Sequence, residues 1–433
     1  MRIITNIGVV ILNLLPLFSM GQNVLPSFSN LRITHHQRDK AVQFTYDLAD
    51  PDDSLIHISL LVRNARSPFM IPDGELKGDV GAQVAGTGKS ILWNYGDYFV
   101  EGLCVRLIAD DFHSQQNETI TVHADTVAIK ENMKRWEGER NHFSPEAERK
   151  RRQVQADLVD YFKQLALSCY VQDTVLPNFE AKKGTRFDLP IENIIAEIPG
   201  ADPSLHPLVL LTHYDTDTAT TDPAAGLAAI AETARILSSH RFARTIRFVI
   251  VDLGKSGYLG SRFYAIRGMA ELEMLAGVIN LDVAGHYSNA LYSQTIPDGF
   301  EELFEQEVNT IRLNQYRGDF VALSSNTQGR ALSGIFEAVA NRNVPELKII
   351  SLPGSTPSRD RALRVSDHAI FWRLGHPTIS ISDTGDLRTT PPEGSTNTDS
   401  KFLAQIIKAT TLMIAKLGEI KHCTVLDFAL KSQ

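Results

Sequence analysis

In the second half of the chain, short and almost uninterrupted apolar runs alternate with longer segments whose apolar positions recur at helical spacing. "NIIAEIPG", "PLVLLTHYD", "TIRFVIVDLG", "AGVINLDVAG", "ELKIISLPG" and "PTISISDT" are of the first kind, and "DPAAGLAAIAETARILSSH" is of the second. Residues apolar on successive positions suit strands covered on both faces. Alternation with helices then predicts an α/β domain over residues 154–425, with a central, mainly parallel (mixed) sheet and helices on both faces. In such sheets, sites collect at the carboxyl ends of strands.

The first half has a different rhythm. Over residues 24–128, "AVQFTYDLAD", "LIHISLLVRN", "KSILWNYGDY" and "LCVRLIADD" are short β-rich runs separated by Asp, Pro, Gly and Ser turns. That spacing predicts a small all-β sandwich of immunoglobulin or fibronectin-III type. "GTGKS" at Gly86 to Ser90 is not a phosphate loop: the position of its first glycine is Gln83, and no helical pattern follows. It reads as a turn leading into a strand. Residues 129–153, dense in mixed charge, read as a solvated helical linker.

Residues 1–21 carry Arg2, the apolar run "IGVVILNLLPLF" and small residues at Ser19 and Gly21. This is the pattern of a secretory signal peptide cleaved near Gly21. Asn13, Pro16 and the short run argue against a membrane span, so the expected location is secreted or periplasmic, with no membrane association after cleavage.

Composition adds little to this. The 433 residues are 43% hydrophobic and 22% charged, as in ordinary globular proteins. A net charge of -8 argues against nucleic-acid binding through bulk charge. Cys104, Cys169 and Cys423 lack metal-site spacing, and an odd number leaves at least one unpaired.

The strand ends hold the candidate chemistry. "PLVLLTHYD" ends in His213 and Asp215, and a polar loop then reaches Asp222 before Pro223. "AGVINLDVAG" places Asp282 at its end, and "RVSDHAIFWRLGHP" puts His368 at a helix start. Two histidines and two aspartates at converging strand ends are a donor set for zinc. Asp215 is placed to accept the other N–H of His213. Each residue also has a plain structural reading. Asp222 suits an N-cap with Pro223 at the first helical position, Ser366 suits a cap for the helix with His368, and Asp282 could cap a loop.

Residues from about 154 to 420 resemble the co-catalytic zinc aminopeptidases of metallopeptidase family 28. The resemblance lies in "NIIAEIPG", "THYDT", "DPAAG", "GYLGS", "INLDVAG" and "SDHAIFWRLGHP", although "DPAAG" departs from the usual Asp-Asn-Ala-Ser-Gly form. It implies that His213 and Asp282 complete one zinc site, that Asp222 bridges two metals, that His368 serves the second site and that Asp215 orients His213. It also implies two adjacent glutamates in the turn before "GYLGS". Here the general-base position is Gly254 and the second metal-ligand position is Lys255, in "VDLGKSGYLGS".

Glycine cannot take a proton from a metal-bound water, and general-base assistance is commonly worth roughly 100- to 10,000-fold. A lysine ammonium is a donor without an acceptor and repels a divalent cation. The expectation is at most one zinc, on His213, Asp222 and Asp282, with Lys255 standing in for the second metal and pairing with Asp222. Asp252 and Asp217 are nearby acids, but Asp252 reads as structural and nothing places Asp217 at a reacting water. The chain is thus expected to be a weak or inactive pseudo-peptidase that binds peptide or protein N-termini. The alternative is an active exopeptidase using one metal or a substitute base. The loop "TTPPEGSTNTDS" is expected to border the pocket.

Overall fold

A computed structural model describes residues 26–51, 55–63, 74–96, 103–110, 120, 122–180, 186–217, 224–270, 273–388, 399–419 and 423–430. The expected signal peptide and most of the "TTPPEGSTNTDS" loop lie outside these residues, as does Asp222.

The N-terminal strands are β1 (Ser27–His36), β2 (Ala41–Ala49), β3 (Ile56–Arg63), β4 (Glu75–Gly78), β5 (Gly81–Gln83), β6 (Gly86–Asn94) and β7 (Cys104–Asp110). "GTGKS" begins strand β6, as its lack of a following helical pattern required. Two antiparallel sheets form, in the orders β1-β2-β6-β4 and β16-β7-β3-β5, where β16 is Cys423–Ala429 at the other end of the chain. Alternate residues of β2 (Val42, Phe44, Tyr46 and Leu48) point inward and pack with Trp93, Ile58, Leu60 and Leu107. This period of two gives the sandwich its single dry interior.

Strand β16 corrects the expected division at residue 425. It pairs antiparallel with β7, from Cys423 opposite Asp110 to Ala429 opposite Cys104. The exposed backbone edge of β7 needs a hydrogen-bonded neighbour, and the C-terminal segment supplies it. On the outer face of that sheet, Leu61 and Ile108 pack with Ala201, and Arg106 Nη1 donates to the Gly200 carbonyl at 3.4 Å.

Helices α1 (Thr126–Trp136) and α2 (Pro145–Gln164) occupy the charged segment and continue past it. They are helical, as expected, but they are not a solvated linker. Ile129, Met133 and Trp136 of α1 and Val154, Leu158 and Phe162 of α2 lie in the main core of the α/β domain. The apolar stripe is narrow, and charged residues on the other faces hide it in the composition. Asp125 caps α1, and Ser144 caps α2 with Pro145 in the first turn.

The α/β domain continues through β8 (Ser168–Glu180), β9 (Arg186–Ile198), β10 (Leu208–His213), α3 (Ala225–Ser238), β11 (Ile246–Val251), α4 (Leu259–Phe263) and β12 (Gly277–Asp282). It closes with α5 (Phe300–Leu303), α6 (Glu305–Leu313), β13 (Phe320–Ser325), α7 (Arg330–Asn343), β14 (Lys348–Pro353), α8 (Pro357–Leu363), α9 (Ala369–Arg373), β15 (Thr378–Ser382) and α10 (Ser400–Gly418). The eight-stranded sheet has the order β14-β13-β15-β12-β10-β11-β9-β8. β11, β10, β12 and β15 run parallel, while β8, β9 and the β13–β15 junction are antiparallel. The sheet is mixed with a parallel centre. Helices α1, α2, α3, α7 and α10 join the large core on one face, while Tyr264, Ile370 and Phe371 cover Val209, Val249 and Val251 on the other. No helix among the described residues is long and apolar enough to cross a membrane. Cys104 and Cys169 are free and partly buried, and burial pushes the Cys169 thiol up to about 12.

Candidate functional site

The parallel centre brings its strand ends to one edge. His213, the last residue of β10, lies opposite Val251, the last of β11, so His213 and the turn starting at Asp252 sit side by side. Asp282 ends β12 opposite Ser382 of β15, and His368 immediately precedes α9. His213, Lys255, Asp282 and His368 line one cavity of about 510 Å³, whose apolar wall includes Phe300, Leu352 and Leu363.

His213 Nδ1 lies 2.9 Å from the Asp215 carbonyl and 3.4 Å from its Oδ1. Asp215, expected to orient His213, thus meets its Nδ1 with the backbone carbonyl and faces it with the side chain. The Asp215 carboxylate also accepts the N–H groups of Gly254 at 2.7 Å and Lys255 at 3.0 Å, tying the β10 loop to the neighbouring turn. Burial pulls the His213 imidazole down, but the Asp215 hydrogen bond and the Asp215 and Asp367 charges outweigh it and raise its pKa to about 9.

His368 is 1% exposed, and its Nε2 meets the Leu363 carbonyl at 2.9 Å. Its Nδ1 is buried without a partner. Burial lowers its pKa to about 4, so it is neutral near pH 7 and presents a lone pair on Nδ1. A histidine that gives one N–H to a backbone carbonyl and keeps the other nitrogen open has the form of a metal ligand. Among the described residues, however, no three His, Cys, Asp or Glu side chains converge to hold a metal ion. His213, Asp282 and His368 suit zinc chemically, and a complete set would draw on Asp222, outside the described residues.

The turn is packed more tightly than its residue types alone indicate. A Cβ on Gly254 would lie 2.7 Å from the His213 Cβ and 2.8 Å from both the His213 Cγ and Asp367 Oδ2. The turn backbone packs directly against His213, and no side chain fits at this position without backbone movement. Leu253 and Tyr258, which flank it, adopt φ of 55° and 59°, unusual for bulky residues. Lys255 is exposed at the cavity and its charge acts on His213 and Tyr258. Its expected pairing with Asp222 falls outside the described residues.

Two local expectations change. Helix α3 starts at Ala225 after Ala224, which takes φ 56° and makes no side-chain cap, so Pro223 is not at its first position. Ser366 does not cap α9 through its hydroxyl, which accepts from Asn280 Nδ2 at 3.3 Å. Asp282 lines the cavity from the end of β12. Asp252, read from the sequence as structural, is buried and accepts from His142 Nε2 at 2.8 Å. Asp217 lines the cavity.

Asp367 was not singled out in the sequence, although it precedes His368 in "SDH". It is buried beside Gly254 and His213, accepts from Ser261 Oγ at 2.7 Å, and burial raises its pKa to about 6. It does not line the cavity. His286, also missed, lines the cavity, and its backbone N–H donates to the Asp383 carboxylate at 2.7 Å.

The mixed eight-stranded sheet, with helices on both faces and a cavity at its parallel strand ends, has the aminopeptidase-like fold. Residues 193–398, within the α/β domain, match the family model of Peptidase family M28. Among solved structures, the aminopeptidase from Aneurinibacillus sp. strain AM-1 is similar, with 12% identity and a TM-score of 0.50, over 69% of this chain and 94% of that one. BSAP, a zinc aminopeptidase from Bacillus subtilis, has 13% identity and a TM-score of 0.48, over 70% and 99%. The Porphyromonas gingivalis glutaminyl cyclase has 15% identity and a TM-score of 0.46, over 69% and 99%. At these identities the first likeness speaks for the fold alone. A search of curated proteins finds no match.

Proposed function

We propose that this is a secreted pseudo-peptidase of family M28 that binds peptide or protein N-termini in the cavity and has little or no two-metal hydrolysis. The observation that carries this reading is the close packing at Gly254, where a Cβ would stand 2.7 Å from His213. The position that holds the general base in the family has lost both the carboxylate and the room for one. Lys255, next in the turn, brings a cation where the family implies a metal-binding glutamate. On this reading the cavity holds at most one zinc, with His213 and Asp282 as ligands together with Asp222. A bound zinc would supply a Lewis acid for a ligand's amino or carbonyl group. The chain's own residues would orient the peptide: carboxylates such as Asp282 and Asp217 suit an α-ammonium group, and Phe300, Leu352 and Leu363 offer an apolar wall beside it.

The test is an assay of the mature protein on aminoacyl-anilides with added zinc, alongside calorimetry with a peptide bearing a free amino terminus and its N-acetylated form. Binding that requires the free amino group, without chelator-sensitive turnover, supports the reading. Chelator-sensitive turnover by the unaltered protein overturns it in favour of an active exopeptidase.

A further inference from the structure

The segment between α1 and α2 reaches both walls of the cavity, which nothing in its charged composition announces. Arg140 is 1% exposed and lines the cavity. Its Nε donates to the Tyr214 carbonyl at 2.7 Å, and its Nη1 to the carbonyls of Trp136 at 2.7 Å and Gly138 at 2.8 Å. Its backbone N–H donates to Thr216 Oγ1 at 2.8 Å, and its carbonyl accepts the Thr216 N–H at 2.6 Å. Arg140 thus grips the chain on both sides of Asp215.

Two residues later, His142 faces the other wall. Its Nε2 lies 2.8 Å from Asp252 Oδ2, and its Nδ1 lies 3.3 Å from Glu148 Oε2. Asp252 opens the turn that contains Gly254 and Lys255, and both of their N–H groups bind the Asp215 carboxylate. The contacts close a ring: Arg140 to the Tyr214–Thr216 loop, Asp215 to the turn, Asp252 to His142, and back along the chain to Arg140. Arg151 of α2 braces it, with Nη1 2.7 Å from the Tyr214 hydroxyl and 3.4 Å from Asp252 Oδ2.

We propose that Arg140 and His142 are positioning residues of the cavity, which set the spacing between the His213–Asp217 loop and the Asp252–Lys255 turn. Buried charge-assisted hydrogen bonds are short, directional and costly to leave unmade. Two of them on one short backbone segment therefore add to the direct Asp215 bonds in fixing the walls relative to each other. Their value for function rests on the reading of the cavity as a peptide site.

Hydrogen exchange read by mass spectrometry on the full chain, with Arg140→Ala and His142→Ala, tests this without requiring any ligand. The expected result is exchange faster by about tenfold or more in peptides covering residues 213–217 and 252–258, with α10 and the β-sandwich unchanged. Arg140→Lys and His142→Gln, which keep an N–H donor, recover part of the protection. In parallel, affinity for a leucine-rich tripeptide with a free amino terminus falls by about tenfold in the alanine variants. Unchanged exchange in both walls overturns the proposal, as does equal acceleration across α10 and the sandwich, which would mean a general structural role. If the unaltered protein binds no peptide, the ligand reading fails, and exchange in the walls still decides the positioning role.

Discussion

The two walls of the cavity differ in kind. One, built from the ends of β10 and β12 and the start of α9, presents His213, Asp282 and His368, and His368 keeps a buried, unpartnered Nδ1. The other, the turn after β11, offers a glycine with no room for a Cβ and a lysine. Ligand-type residues on one wall face a repacked turn on the other. At Gly254 the difference is one of packing as well as residue type, because the His213 and Asp367 side chains fill the place where a side chain would begin.

The largest expected effect comes from reopening that place. Gly254→Glu introduces a Cβ against His213, and overpacking of this sort costs typically about 1–3 kcal/mol. The variant should denature at lower urea concentration and show no zinc-dependent anilide hydrolysis. A stable Gly254→Glu protein that gains turnover would break the contrast between the walls. Next comes the metal. His213→Gln or Asp282→Asn should lower the zinc retained after dialysis well below one per chain, while His368→Gln leaves it near the unaltered level, by metal analysis. Equal loss in all three would mean that both histidine positions share one ion.

A third effect is electrostatic. The His213 pKa is raised to about 9 in the folded protein, above the usual value of 6.5. The folded state then holds more protons than the unfolded one between those values, and stability falls as pH rises through the window. In metal-free protein the thermal midpoint should drop between pH 6.5 and 9, and His213→Gln should flatten that slope. His368 has the opposite sign. Its pKa of about 4 lies below 6.5, so its contribution is complete above pH 6.5 and is lost as pH falls toward 4. The smallest effect should be that of Lys255→Ala. The Lys255 charge opposes protonation of His213, so its removal should move the His213 titration upward in an NMR experiment with little change in stability.

Much of this was legible along the chain. Strands β9, β10, β11, β12, β14 and β15 fall on the uninterrupted apolar runs, because a strand covered on both faces must be apolar at successive positions. β8 was not singled out, since this edge strand has only half-buried and exposed residues and carries a weaker signal. The glycine and lysine at positions 254 and 255 were visible as residue types against the resemblance. The reach of Arg140 and His142 was not, because a charge-rich segment looks solvated whenever its buried face is only a stripe.

The sequence alone determined most of the central strands, that their apolar runs pack into a parallel-centred sheet, and which side chains reach the strand ends. These follow from local periodicity and from residue chemistry, which short windows of chain contain. Only the tertiary structure decided that β16 completes the N-terminal sandwich, that α1 and α2 belong to the main core, and that Asp367 and His213 leave Gly254 no room. Each of those depends on contacts between residues dozens to hundreds of positions apart. Close packing allows such volumes to be filled by whichever distant segment fits, and no local pattern records the choice.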